Sequence, residues 1–315
     1  MELIKVNTNG IIQTVFVQGV TKPAKATLLM VHGGPGSTTV PVARKLYAYL
    51  QQNFTLVHWD QRGAGKSFRY HDTLSIERVT TDCLEIARYI KEHISPHVYL
   101  LGHSWGTYIA LQAAHVKPDL FLGCVLTSQY TGQKEAQTVA IERLYAIAQA
   151  QQDSSLKMYL QSIAKLPMTS LSDIVRFSGI LNAVGGTGRK FKISEYILGV
   201  LRSNEYSLKD KINFFRGQHM SLRILLPAMN AINRTTMPQI FSVPLLFIQG
   251  QYDLNCPLES AQQYFASITA PYKEFIVFNH SAHFPHFEER ENFLQCLLAF
   301  VEQQNKGIRE QATKL

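Results

Sequence analysis

The sequence predicts an α/β fold: a mostly parallel central sheet flanked by helices, with a helical lid inserted into it. Three observations carry this reading. Short apolar or β-branched runs alternate with helical stretches up to residue 126 and again after residue 245, an order that favours parallel strands covered on both faces. The alternation lapses between Gln129 and Gln239, where the pattern is helical and mixed. Hydrophobic residues make up 46% of the 315 positions and charged residues 17%, which gives enough apolar side chain for a large core and too little charge for disorder.

A prior of about 150 residues per domain suggests two structural units. The lapse locates them: residues 1–129 with 240–315 form the core, and 130–239 form the lid. Runs at 11–17 and 26–31 read as strands, the second ending in His32-Gly33-Gly34-Pro35-Gly36. Residues 42–51 look helical, 55–59 read as a buried strand, and the glycine-punctuated loop Asp60-Gln61-Arg62-Gly63-Ala64-Gly65-Lys66-Ser67 follows. From Ser75, a plausible cap, Ile76, Val79, Cys83, Ile86 and Ile90 recur at spacings of three and four, the period of an amphipathic helix. A strand at 98–101 runs straight into Gly102-His103-Ser104-Trp105-Gly106 and a helix that stops before Pro118. Strands at 122–126, 245–249 and 274–278, a helix near 260–268 and a last helix through Phe293 to Val301 complete the pattern.

The formal net charge is +8, but the Lys and Arg residues are spread along the chain, which argues against a nucleic-acid-binding arm. Cys83, Cys124, Cys256 and Cys296 lie far apart; they suggest neither a zinc site nor a disulfide framework, and read as reduced core thiols. Residues 1–9 lack the unbroken apolar stretch of a signal peptide, and no run of about 18 apolar residues occurs. A soluble, cytoplasmic protein without stable membrane insertion, metal or cofactor is expected.

Gly-x-Ser-x-Gly is a short pattern that arises by chance, but its place between a strand and a helix gives it meaning. A serine turned sharply from strand into helix has its hydroxyl lifted above the sheet, and Gly102 and Gly106 leave room for the turn. The helix beginning at Trp105 aims its N–H groups and positive dipole end at the reacting carbon. A serine hydroxyl is a poor nucleophile, so it needs a base within hydrogen-bond reach and a carboxylate to orient that base. In chain order the candidates are Ser104, Asp253 just after the strand at 245–249, and His283 in the loop after Phe278. His280 and His286 compete with His283; the mid-loop position of His283 ranks it first, and His280, near the strand end, ranks second. The backbone N–H groups of Trp105 and Gly34 are the candidate oxyanion-hole donors. Asp60 and Arg62 read as pairing or hydrogen-bonding locally to fix their loop, and Gly185-Gly186-Thr187-Gly188 reads as a lid loop, lacking the strand and the Lys-Ser/Thr of a phosphate-binding loop.

With these residues assembled, the sequence resembles the proline iminopeptidase (prolyl aminopeptidase) branch of the α/β-hydrolase superfamily. The matching segments are His32 to Gly36, Trp59 to Ser67, Gly102 to Gly106, and Gly250 to Pro257 with His283. The resemblance implies the α/β-hydrolase fold, a catalytic triad on Ser104, Asp253 and His283, and aminopeptidase activity on small peptides or aminoacyl amides. The Glu-Asn-His-Tyr-like lid segment with which iminopeptidases hold the substrate's amino group is absent. Glu195 and Glu205 are the candidate lid carboxylates, although no motif marks either one. Two alternatives stay open: a carboxylesterase or amidase without amine recognition, and a non-catalytic ligand-binding protein on the same fold. A serine at the nucleophile position removes the epoxide hydrolases and dehalogenases, which use a carboxylate there.

Overall fold

The computed structural model describes residues 2–19, 24–70, 73–163 and 166–312. β1 (Glu2–Thr8) and β2 (Ile11–Gln18) form a hairpin. Asn9 and Gly10, both at positive φ, make the two-residue turn that matches strand twist. β3 (Ala26–Val31), the short α1 (Ala43–Leu46), β4 (Phe54–Asp60), α2 (Ile76–His93), β5 (Val98–His103), α3 (Trp105–Val116) and β6 (Gly123–Thr127) follow. Among the described residues, five helices then intervene before the sheet resumes: α4 (Gln133–Ala150), α5 (Ser154–Gln161), α6 (Leu171–Ala183), α7 (Ile193–Arg202) and α8 (Leu208–Ala231). β7 (Leu245–Gly250), α9 (Leu258–Ser267), β8 (Lys273–Phe278), α10 (Pro285–Glu288) and α11 (Arg290–Ala312) complete the chain.

The eight strands lie in the order β1-β2-β4-β3-β5-β6-β7-β8. β1 and β2 pair antiparallel, β2 meets β4 antiparallel, and every pairing from β4 through β8 is parallel. β3, β6 and β7 are buried at every residue, as the continuous apolar runs of central parallel strands require. One face packs Leu29, Val57 and Leu100 against α2 and α3, and the other packs Leu28, Leu56 and Leu101 against α1 and α11. The intervening helices have a core of their own, with Leu144, Leu160, Phe177 and Leu181 gathered around Leu254 from the sheet domain.

The expected helix at 42–51 shortens to α1 and a preceding turn. The chain leaves the helix at Tyr47 so that its ring packs between His58, at 5.1 Å, and His286, at 5.9 Å. Ser75 caps α2, accepting a hydrogen bond from Arg78 N.

Asp60 and Arg62 do not pair with each other. Asp60 accepts from Lys66 N at 2.8 Å within its own loop, and also from Thr38 and Tyr206. Arg62 instead makes a bidentate pair with Asp82 of α2 at 2.8 and 2.9 Å, both side chains being buried. Asn9 Nδ2 donates to the same carboxylate at 3.0 Å, so one buried charge ties the hairpin turn, the loop after β4 and α2 together.

Breaking a buried pair by removing one partner leaves an uncompensated charge. Asp82→Ala is therefore expected to destabilise the fold by about 3–5 kcal/mol, and adding Arg62→Met to recover much of that loss. Urea unfolding of the three variants checks this, and simple additivity of the two substitutions would contradict it.

Candidate active site

The carboxyl ends of β3, β5, β7 and β8 carry Gly34, Ser104, Asp253 and His283 to one edge of the sheet. Ser104 follows β5 at φ 53° and ψ −125°, a conformation that costs a side-chain-bearing residue about 1–3 kcal/mol. The neighbouring glycines make it possible. A Cβ on Gly106 would lie 1.9 Å from Val31 O, and one on Gly102 would lie 2.8 Å from Gly106 O. Ser104 N donates to Thr127 O at 3.0 Å, and Thr107 Oγ1 and N close on Ser104 O at 2.7 and 2.8 Å. Its hydroxyl therefore stands at the amino end of α3, with Cys256 Sγ 3.9 Å away.

Asp253, fully buried after β7, receives Asn255 N at 2.8 Å, Cys256 N at 2.9 Å and Gln249 Nε2 at 3.1 Å. His283 Nδ1 meets its two oxygens at 2.9 and 3.1 Å. A carboxylate fixed by three other donors in turn fixes the imidazole, leaving Nε2 as the free ring nitrogen. The His283 backbone is also held: its N donates to Thr187 O at 3.0 Å, and its carbonyl accepts His103 Nε2 at 2.8 Å and Ser128 Oγ at 3.0 Å. His280 is exposed after β8, and its backbone N donates to Glu289. His286 is buried in α10 against Phe287.

The loop after β3 is organised by His32. Gln61 N donates to its Nε2 at 3.2 Å, so the ring proton sits on Nδ1, which donates to Gly33 O at 2.8 Å. Fixing the Gly33 carbonyl fixes the peptide plane it shares with Gly34, because the unit is planar. The direction of Gly34 N–H is thereby set by a neutral histidine.

The cavity above Ser104 measures about 440 Å³ and is lined from both the sheet domain and the inserted helices, among them Tyr130, Phe177, Tyr196, Leu222, Cys256 and His283. Its described lining residues include no Asp, Glu, Lys or Arg. Neither expected lid carboxylate is present there. Glu195 is exposed and caps α7 through Lys192 N, and Glu205 pairs with Arg44 and accepts from Ser203. Two site features were read too plainly from the sequence. Gly186 and Thr187 do more than close a lid loop, since Gly186 O accepts from Leu254 N and Thr187 contacts Asn255 and His283. Cys256 is a wall of the cavity; its signal was its position three residues after Asp253. Among the described residues, no group of three or more His, Cys, Asp or Glu is arranged to hold a metal.

The fold and this carboxyl-edge site define a hydrolase of the α/β-hydrolase class. More narrowly, the model of the family described as serine aminopeptidase, S33 matches residues 22–290, and the chain belongs to that family. A probable aminopeptidase, YbaC, of Bacillus subtilis (strain 168) is 32% identical over 276 residues, 86% of this chain and 87% of the relative. A proline iminopeptidase of Heyndrickxia coagulans is 26% identical over 277 residues, 87% and 90% of the two chains. Among solved structures, the proline iminopeptidase of Mycobacterium smegmatis superposes with a TM-score of 0.70 at 16% identity, covering 98% of this chain and 100% of that one. An esterase from Exiguobacterium antarcticum superposes at 0.57 with 17% identity, covering 92% and 96%. At such identities these structures show the shared fold alone.

Burial lowers the pKa of His32 to about 4 and those of His58 and His286 to about 3, and it takes His103 well below 6.5. Unfolded, each imidazole takes its proton near 6.5. Below that pH the unfolded chain binds more protons than the folded one, so stability falls as pH falls. Asp60 opposes this between about 6 and 3.8, because burial makes its folded form bind the proton first. Glu135, also raised by burial, opposes it as well, but four imidazoles outweigh two carboxyls: the urea midpoint should drop progressively between pH 6.5 and 4. A midpoint that is flat or rising over that range would mean that the imidazoles are solvated in the folded chain.

Proposed function

We propose that the protein is a serine hydrolase that forms an acyl-enzyme on Ser104 and acts on small, uncharged, partly apolar carboxylic esters or amides. Ser104 Oγ attacks the carbonyl as its proton passes to His283 Nε2; the negative oxygen is received by the N–H groups of Trp105 and Gly34; His283 then gives the proton to the leaving group. Water repeats the sequence to release the acid. Asp253 holds the tautomer and stabilises the imidazolium that forms. We assign α4–α8 the part of a lid over residues 130–239, excluding water from the reacting atoms.

The observation that carries the substrate class is the cavity lining of hydrophobic, hydroxyl, amide and neutral imidazole groups, with no carboxylate among the described residues. An aminopeptidase must desolvate the substrate's ammonium, and an unpaired buried charge costs several kcal/mol. The names of the relatives favour that second reading, an aminopeptidase on N-terminal residues.

Ser104→Ala and His283→Ala are each expected to reduce hydrolysis by several orders of magnitude and to be far from additive, because the pair acts as a unit. Asp253→Asn should cost about three to four orders through the wrong tautomer. A fluorophosphonate should label the wild type and not Ser104→Ala; near-normal turnover of Asp253→Asn would show that another group orients the base.

The two substrate readings separate on kcat/KM for a proline arylamide and its N-acetylated form. The carboxylate-free cavity predicts equal rates or preference for the blocked form. A strong preference for the free amine would establish the aminopeptidase reading.

A further inference from the structure

Four backbone N–H groups from two distant segments converge on the side chain of Glu288 in α10. Oε1 accepts from Arg189 N, from Lys190 N at 2.6 Å and from Phe191 N at 3.0 Å, all in the segment between α6 and α7. Oε2 accepts from Ala282 N at 2.7 Å, one residue before His283. The glutamate is 9% exposed, so water has little access to replace it. Three successive amides aimed at one point form an anion-holding nest, and here the anion is supplied by the chain itself.

We propose that Glu288 is a positioning residue: its carboxylate fastens the inserted helices to the loop that carries His283, so that seating of this lid segment and placement of the base are one event. The neighbouring contacts have the same sense. His283 N donates to Thr187 O, Asn255 Nδ2 donates to Thr187 Oγ1 at 2.9 Å, and Leu254 N donates to Gly186 O at 2.9 Å. Segment 186–191 therefore bonds to both loops flanking the acid and the base. Phe191 adds apolar contact, its ring centroid lying 5.2 Å from that of Phe284 and 4.8 Å from that of Phe287. Removing the carboxylate frees four donors and leaves the base loop tied to segment 186–191 by the His283–Thr187 backbone bond and the Phe191 ring contacts. A base displaced by even an ångström loses rate steeply, about 100-fold in favourable cases, with little effect on substrate affinity.

The inference rests on His283 being the base, and the experiment keeps the two apart. Glu288→Gln preserves shape, but its single carbonyl oxygen can serve either the nest or Ala282 N, and its NH2 opposes the other. The variant should phosphonylate Ser104 with a fluorophosphonate, and turn over a short-chain p-nitrophenyl ester, about tenfold or more slowly than the wild type, with KM within about twofold. A purely structural role would lower the unfolding midpoint and leave kcat unchanged below it. Wild-type rates in folded Glu288→Gln overturn the inference alone; failure of the wild type to label at Ser104 overturns the assigned mechanism. Amide hydrogen exchange on the unmodified wild type needs neither catalysis nor a variant. Ala282, Arg189, Lys190 and Phe191 should open with a common protection, and exchange of 189–191 orders of magnitude faster than that of Ala282 would show that the segments part independently.

Discussion

The strained backbone of Ser104 is the constraint around which the carboxyl edge of the sheet is built. A serine at φ 53° and ψ −125° persists only where its surroundings over-determine it. Here they do so from three sides: Thr127 O takes its N–H, Thr107 closes on its carbonyl, and Gly106 lets α3 lie against the end of β3. The same strain thus holds the serine hydroxyl, the first N–H of α3 and the Gly33–Gly34 peptide in mutual register.

That edge also explains the glycines of the loops after β3 and β4. A Cβ on Gly36 would lie 2.5 Å from Gly217 O, and one on Gly217 would lie 2.4 Å from Gly63 O. The loops after β3 and β4 are glycine-rich where the backbone of α8 presses against them. Tyr206 on Asp60 and Asp210 on Lys66, the latter at 2.8 Å, pin the same corner. The inserted helices are built into the core at this corner, at segment 186–191 and where Arg143 of α4 meets Glu259 of α9, so any motion that admits substrate has to spare these ties or break them.

The sheet was largely legible because parallel central strands are continuous apolar runs and their helices are periodic. β1 was missed although Asn9-Gly10 marks a hairpin, since an edge strand that alternates exposed and buried residues looks like a polar terminus. Ser104, Asp253 and His283 could be ranked from chain order because strand ends locate them. What stayed illegible depends on contacts between residues far apart in sequence. Nothing local says that Arg62 seeks Asp82 rather than Asp60, that Glu195 caps a helix, or that Glu205 meets Arg44. Resemblance pointed to lid carboxylates by analogy, and their local hydrogen-bond partners decided otherwise.

Five histidines cluster in and behind the cavity wall, and their surroundings divide the labour. His32, His58 and His286 are buried and His103 is half-buried, none with an acidic partner among the described residues, and desolvation keeps all four neutral. A positive charge on His283 pushes His103 and His286 further the same way. Only His283 has a carboxylate on its ring nitrogen. In the proposed mechanism an imidazolium is therefore stabilised at one ring and disfavoured at its neighbours, which gives a proton taken from Ser104 a single place to reside. The neutral rings also keep positive charge out of the wall facing the substrate. Among the described residues no acidic side chain lines the cavity opposite them, which is the feature on which the proposed preference for uncharged acyl groups rests.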